Sequence, residues 1–226
     1  MLAYGTILCK LRNHMLILSL VILIVSIILH EVAHGYMANY LGDPTARLAG
    51  RLTLNPIVHI DPIGSILLPG FLLFTQSLTH FPLLIGYAKP VPINPHYLTG
   101  KYDEALTAFA GPGTNILLAV VFGLAIRFIG GPETPLIDAF TMIVYINMLL
   151  ALFNLIPIPP LDGSRVLAAL LPGGAGRSYD ALRMSMERMG VLTNTLLIMI
   201  VFYYVLAPFF SIILSSLFQL LTGVPL

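Results

Sequence analysis

The sequence predicts an all-α polytopic membrane protein. About four full spans are expected, with a re-entrant hairpin, a short extended or β segment, and a short helix after a Pro-rich break. Three observations carry this reading. Apolar residues make up 58% of the 226 and charged residues 9%, too few to coat a soluble globule. The apolar residues fall into runs of about 20, the length that crosses a bilayer core. Gly- and Pro-rich breaks separate those runs, and such residues end helices. The same composition excludes a disordered chain. A net charge of +1 without basic blocks excludes nucleic acid as a partner. The single cysteine, Cys9, leaves no disulfide framework and no cysteine-based zinc site.

The first span begins in the apolar run 15–29, continues through His30-Glu31-Val32-Ala33-His34 to about Leu41, and stops at Gly42-Asp43-Pro44. Lys10 and Arg12 precede it, but no small-residue cleavage pattern follows, so it reads as a retained helix. Residues 45–61 are polar and read as loop. Residues 63–85 are apolar but broken by Pro69-Gly70 and Pro82, which suits a poor span or a re-entrant hairpin. Pro90, Pro92 and Pro95 alternate with Val91 and Ile93, which suits an extended segment. Residues 105–129 and 136–155 are the second and third spans. The run Asn154-Leu155-Ile156-Pro157-Ile158-Pro159-Pro160 breaks the third, and a short helix to Leu171 follows Leu161-Asp162-Gly163. Residues 172–189 are polar. Residues 191–221 are a long apolar stretch with Pro208 as its kink. The whole chain, 1–226, reads as one transmembrane domain, with a core over about residues 15–175 and a C-terminal helical region over about 190–222.

The chemistry concentrates in His30-Glu31-Val32-Ala33-His34. Residues i and i+4 share a helix face, so both imidazoles can bind one metal while Glu31 stands beside it as a base. Ionisable groups inside an apolar span are costly and functional by default. A catalytic zinc takes three protein ligands and keeps one position open. Among the few carboxylates, Asp162 alone follows a broken helix end flanked by apolar residues, where backbone at membrane depth must line protein or a cavity. Asp162 could instead cap the short helix; with two histidines lacking a third partner, ligand is the stronger reading.

These residues resemble the site-2 protease family of intramembrane zinc metalloproteases. The resemblance rests on residues 30–34 and 154–163, and on Gly50-Arg51-Leu52-Thr53-Leu54-Asn55-Pro56, Lys89-Pro90-Val91-Pro92-Ile93-Asn94-Pro95 and Ala110-Gly111-Pro112-Gly113-Thr114-Asn115. It is closest to the compact prokaryotic branch without PDZ or CBS domains. It implies that His30, His34 and Asp162 hold one Zn2+, that Glu31 is general base and then proton shuttle, and that Asn154 holds substrate or oxyanion. An amide at residue 154 could instead cap carbonyls freed by the prolines, but an amide donor to developing charge is the stronger reading. Asn115 matches a family position near the site, although Gly111, Pro112 and Gly113 around it read as a helix-packing surface. His59 reads as a loop residue.

The function expected is an endopeptidase that cuts within or near transmembrane segments of other membrane proteins, with the bilayer and such a segment as its partners. Val91 and Ile93 would pair with an extended substrate by strand addition. Two other classes compete. A non-haem metal redox enzyme also uses two His and a carboxylate, but leaves Glu31 without a role. A metal or ion transporter would show inverted repeats, and none is visible.

A shared metal also constrains topology. His34 and Asp162 can meet only if the chain between the first and second spans returns to the side it left, which favours the hairpin. Arg47, Arg51, Lys89, Lys101, Arg165, Arg177, Arg183 and Arg188 then lie on one side, and Lys10, Arg12 and Arg127 on the other. The positive-inside rule puts the larger set in the cytosol, with the N-terminus outside and the site nearer the cytosolic face of the cell membrane.

Overall fold

The computed structural model describes residues 2–61, 89–129 and 134–225. Among them, four helices are long and apolar enough to cross a membrane: Ile17–Tyr40, Asp103–Ile129, Pro135–Asn154 and Leu196–Thr222. The first lies in helix α1 (Leu2–Tyr40), which begins well before the expected residue 15. It ends as its residues dictate. Gly42 takes the left-handed φ of 108° that lets the chain turn, and Asp43 N–H donates back to Ala38 O at 2.9 Å.

Helix α2 (Asp103–Ile129) has Asp103 and Glu104 in its first turn and Arg127 in its last, matching the helix dipole. Helix α3 (Pro135–Asn154) opens with Pro135 and with the Thr134 hydroxyl accepting from Ile137 N–H. Helix α4 (Asp162–Leu170) follows the Pro-rich break. Residues 172–189, legible only as polar, form helix α5 (Gly173–Glu187). It braces the break from outside: Tyr179 donates to Pro157 O at 2.9 Å, and Arg183 pairs with Glu104 at 2.9 Å.

The last span is helix α6 (Val191–Val201), a π turn (Phe202–Leu206) and helix α7 (Ala207–Thr222). The expected irregularity at Pro208 takes this form, because proline lacks an N–H and crowds the carbonyl four residues back. α2 packs against α1, α3, α4 and α7. An apolar core of Ala119, Ile126, Val144, Met148, Leu214 and Phe218 joins α2, α3 and α7. The C-terminal end of α1, the start of α2, the end of α3 and the start of α4 meet at one end of the bundle.

The hairpin expected over residues 63–85 lies outside the described residues. The residues on either side of that stretch lie together, with Lys89 N–H donating to His59 O at 2.9 Å. The short strand is not found: among the described residues there is no strand, and 89–94 runs beside α1 without regular pairing. The physical reason is where its donors go. Pro90 and Pro92 have none. Val91 N–H donates to Glu31 Oε2 at 3.0 Å, and Asn94 N–H to Asp43 Oδ2 at 2.7 Å. Arg51 Nη2 donates to Lys89 O at 2.7 Å and to Pro90 O at 3.3 Å. Side chains thus do what a neighbouring strand would do.

Asp43, fully buried, is the tether between the end of α1 and this segment. Burial alone would raise its carboxyl pKa. The Thr45 hydroxyl, Asn94 N–H and Thr45 N–H outweigh that and hold it below the usual range. We expect Asp43→Ala to destabilise the detergent-purified protein by about 1–3 kcal/mol per buried donor left unpaired, read from thermal unfolding at neutral pH. A lowered native pKa stabilises above the ordinary carboxylate pKa of about 3.9, and that contribution is lost as pH falls through the native value. The gap between variant and wild type should therefore narrow in acid.

Candidate metal centre

Two turns of α1 present His30 and His34 on one face, and the start of α4 brings Asp162 against them. His30 Nε2 lies 3.0 Å from His34 Nε2 and 3.1 Å from Asp162 Oδ2, and His34 Nε2 lies 3.3 Å from the same oxygen. Three donors about 2.0–2.1 Å from one tetrahedral ion would stand about 3.3 Å apart. Both histidines are buried and Asp162 is half-buried.

The second ring nitrogens show why the three donors need a cation. His34 Nδ1 is 2.7 Å from Thr107 O, a carbonyl that can only accept, so Nδ1 carries the proton. His30 Nδ1 is 2.6 Å from Asn115 Oδ1 and donates to it. A neutral imidazole held this way turns a lone pair, at Nε2, towards the other ring and towards a carboxylate. Three electron-pair donors facing one another in an apolar interior repel unless a positive charge sits between them. This is the arrangement of second ring nitrogens on buried acceptors that metal-bound histidines adopt.

Gly111 completes the fit. A Cβ there would stand 2.6 Å from His30 Nε2 and closer still to His34 Nε2. The missing side chain on α2 leaves room beside both donor atoms, where the sequence suggested only helix packing. Gly163 acts at the other wall. A Cβ there would fall 2.8 Å from Ile156 O and closer still to Leu155 O, so only glycine lets α4 press its first turn onto the end of α3 and bring Asp162 inward. Asp162 is the first residue of α4 and Leu161 holds the cap position without a side-chain bond, so the capping alternative does not apply. Among the described residues, His30, His34 and Asp162 are the group that could hold a metal ion.

The remaining residues singled out in the sequence are distributed around this cluster. Glu31 is half-buried with Oε2 on Val91 N–H. Val91 is buried, and Ile93 is half-buried further along the segment. Asn154, half-buried at the end of α3, donates its amide to Leu150 O at 2.9 Å. Asn115 is fully buried behind His30. His59 is buried in its loop, with Nε2 donating to Thr53 O at 2.8 Å. Arg51 and Asp43 were missed as contributors; the polar residues after α1 were visible, but their partners lie 38 to 51 residues ahead.

Known proteins carry the same features. Peptidase family M50 matches residues 130–201, which include Asp162. The chain is 40% identical over 163 residues to YwhC of Bacillus subtilis (strain 168), a protein provisionally named a zinc metalloprotease, covering 67% of this chain and 68% of that one. The chain belongs to peptidase family M50. A second M50 relative, Rip2 of Mycolicibacterium smegmatis, also provisionally named a zinc metalloprotease, is 29% identical over 62% of this chain and 52% of its own. The zinc metalloprotease MJ0392 of Methanocaldococcus jannaschii is 28% identical over 88% of this chain and 46% of its own. The chain thus spans about half the length of these last two. No solved structure matches it. Membership makes this chain a zinc metalloprotease with several membrane-crossing helices, and the His30–His34–Asp162 group could hold its one Zn2+.

Two measurements test the centre. Metal analysis of detergent-purified protein should find about one zinc per chain in wild type and in Glu31→Gln, and much less in Asp162→Ala. Gly111→Ala, which fills the space beside the two Nε2 atoms, should bind little zinc while keeping wild-type helical content by circular dichroism. Full zinc occupancy in Gly111→Ala would show that the ion sits elsewhere.

Proposed function

We propose that the protein is an intramembrane endopeptidase that hydrolyses peptide bonds within or near transmembrane segments of other proteins, with its centre nearer the cytosolic face. The observation that carries this is the meeting, between membrane-crossing helices, of three convergent metal donors and a carboxylate held by an extended segment. When bound, zinc supplies a Lewis acid that polarises a carbonyl and lowers the pKa of water to about 7. His30, His34 and Asp162 hold it, with Asn115 and Thr107 orienting the two rings. Glu31 accepts the proton of the attacking water and delivers it to the leaving nitrogen. Val91 N–H keeps the carboxylate aimed meanwhile.

A transmembrane helix bonds its carbonyls internally and must unwind before hydroxide can reach one. Residues 89–94 provide a surface for the unwound form. Proline at 90 and 92 removes the donors from one edge. The other carries Lys89, Val91 and Ile93. The first two donate to His59 O and Glu31, and in this reading Ile93 N–H and the carbonyls beside it pair with an extended substrate. Asn154 acts in this reading by exchanging its Leu150 carbonyl for substrate or oxyanion. A redox enzyme would leave the Glu31–Val91 contact without a use. Eight of eleven cations on the side of the centre support its cytosolic orientation.

Cleavage of a reconstituted transmembrane substrate tests the proposal. Glu31→Gln should lower turnover by roughly 10²–10⁴-fold with zinc retained, the usual contribution of a positioned base. Ile93→Pro should abolish cleavage while Ile93→Ala spares most of it, since only proline removes the backbone donor. Val91→Pro is not a clean test, because it also releases Glu31. Full activity in Glu31→Gln would overturn the proposal; full activity in Ile93→Pro would overturn the pairing.

A further inference from the structure

The His30 side of the centre is backed by buried amides that metal binding itself does not require. Asn115 on α2 and Asn147 on α3 are fully buried, and Ser26 on α1 nearly so. All three lie inside membrane-crossing helices, where polar side chains are rare and costly. They form one directional chain. Asn147 Nδ2 donates to Ile143 O at 2.9 Å and to Ser26 Oγ at 2.9 Å. Ile143 O can only accept, so the Asn147 amide has one possible orientation, with Oδ1 towards Asn115. Asn115 Nδ2 donates to that Oδ1 at 2.8 Å and to Ser26 O at 3.5 Å. This turns Asn115 Oδ1 onto His30 Nδ1 at 2.6 Å.

We propose that Asn147, with Ser26, is a positioning residue of the metal centre: it fixes the orientation of the Asn115 amide and through it the tautomer of His30. The inference rests on the reading of His30, His34 and Asp162 as ligands. Its content is a choice between two states. With Asn115 as observed, His30 carries its proton on Nδ1 and offers Nε2 to the metal. With the Asn115 amide flipped, Nδ2 would face Nδ1 and the proton would move to Nε2. There it would donate to Asp162 Oδ2, 3.1 Å away, and close the site. Asn147 holds the first state against the second without touching ligand or metal. Partners of this kind commonly contribute 10–100-fold to metal affinity.

The test is zinc affinity of the full chain in detergent, by competition against a chelating indicator, across two backgrounds. Asn147→Leu should weaken zinc binding by about 10–100-fold. Asn115→Asp presents only acceptors to His30 and cannot flip into a donor, so it should bind zinc well, and adding Asn147→Leu to it should change affinity little. Wild-type affinity in Asn147→Leu would overturn the inference. So would an equal loss in both backgrounds, because Asn147 would then act through general packing and not through the amide. If Asn147→Leu does not fold, Asn147→Ser makes the same comparison with room for a water. Wild-type protein that binds no zinc would instead overturn the ligand assignment itself, a result distinct from either of these.

Discussion

Two imidazole nitrogens and a carboxylate oxygen face one another within 3.3 Å inside a bundle of apolar helices, and all three can offer an electron pair to one cation. The Nδ1 positions of the two rings are engaged elsewhere, on Asn115 Oδ1 and Thr107 O, which leaves both Nε2 atoms facing the carboxylate. Burying charge or unpaired acceptors in such surroundings is unfavourable unless a compensating charge is present. Much of the local architecture follows from making this cluster and keeping room in it for a cation. α2 supplies a glycine where any side chain would intrude. α3 breaks in a run of prolines, and α4 restarts with its first carboxylate turned inward past Gly163.

The second layer is polar and almost wholly buried. One branch runs outward from His30 through Asn115, Asn147 and Ser26 and ties α1, α2 and α3 together. The other runs from Glu31 through the backbone of residues 89–94 to Arg51 and Asp43. The branches do different work. The first backs one imidazole, with Asn115 Oδ1 on His30 Nδ1. The second ties an extended backbone to Glu31. Among the described residues, buried Arg51 meets no carboxylate and buried Asp43 no cation; both make sense as backbone holders, because each is paired with more than one peptide group.

Much of this was legible in the residues. Four spans, the two-histidine face, the broken helix before Asp162 and the turn at Gly42 each follow from local pattern: run length, i to i+4 spacing, and the punctuation of Gly and Pro. Other features were misjudged or invisible. The alternation about Val91 and Ile93 reads as an extended or β segment; the β detail is not found, because its donors pair with side chains, and strand pairing needs a neighbour that local sequence does not name. Residues 172–189 read as merely polar, since a helix lying against a loop needs only a partly apolar face.

The sequence by itself determined the solvent this chain folds in, the helices that cross it, and the donor types available for a metal. Those depend on composition and on spacing within one element. Only the tertiary structure decided that Gly111 leaves room at the donor atoms and that Asn115 serves His30. It likewise decided that Val91 serves Glu31 and that Asn147 stands behind Asn115. Such contacts join residues 32 to 85 positions apart. A buried hydrogen bond or a missing methyl acts through space and orientation, and neither is written in the order of residues along one helix.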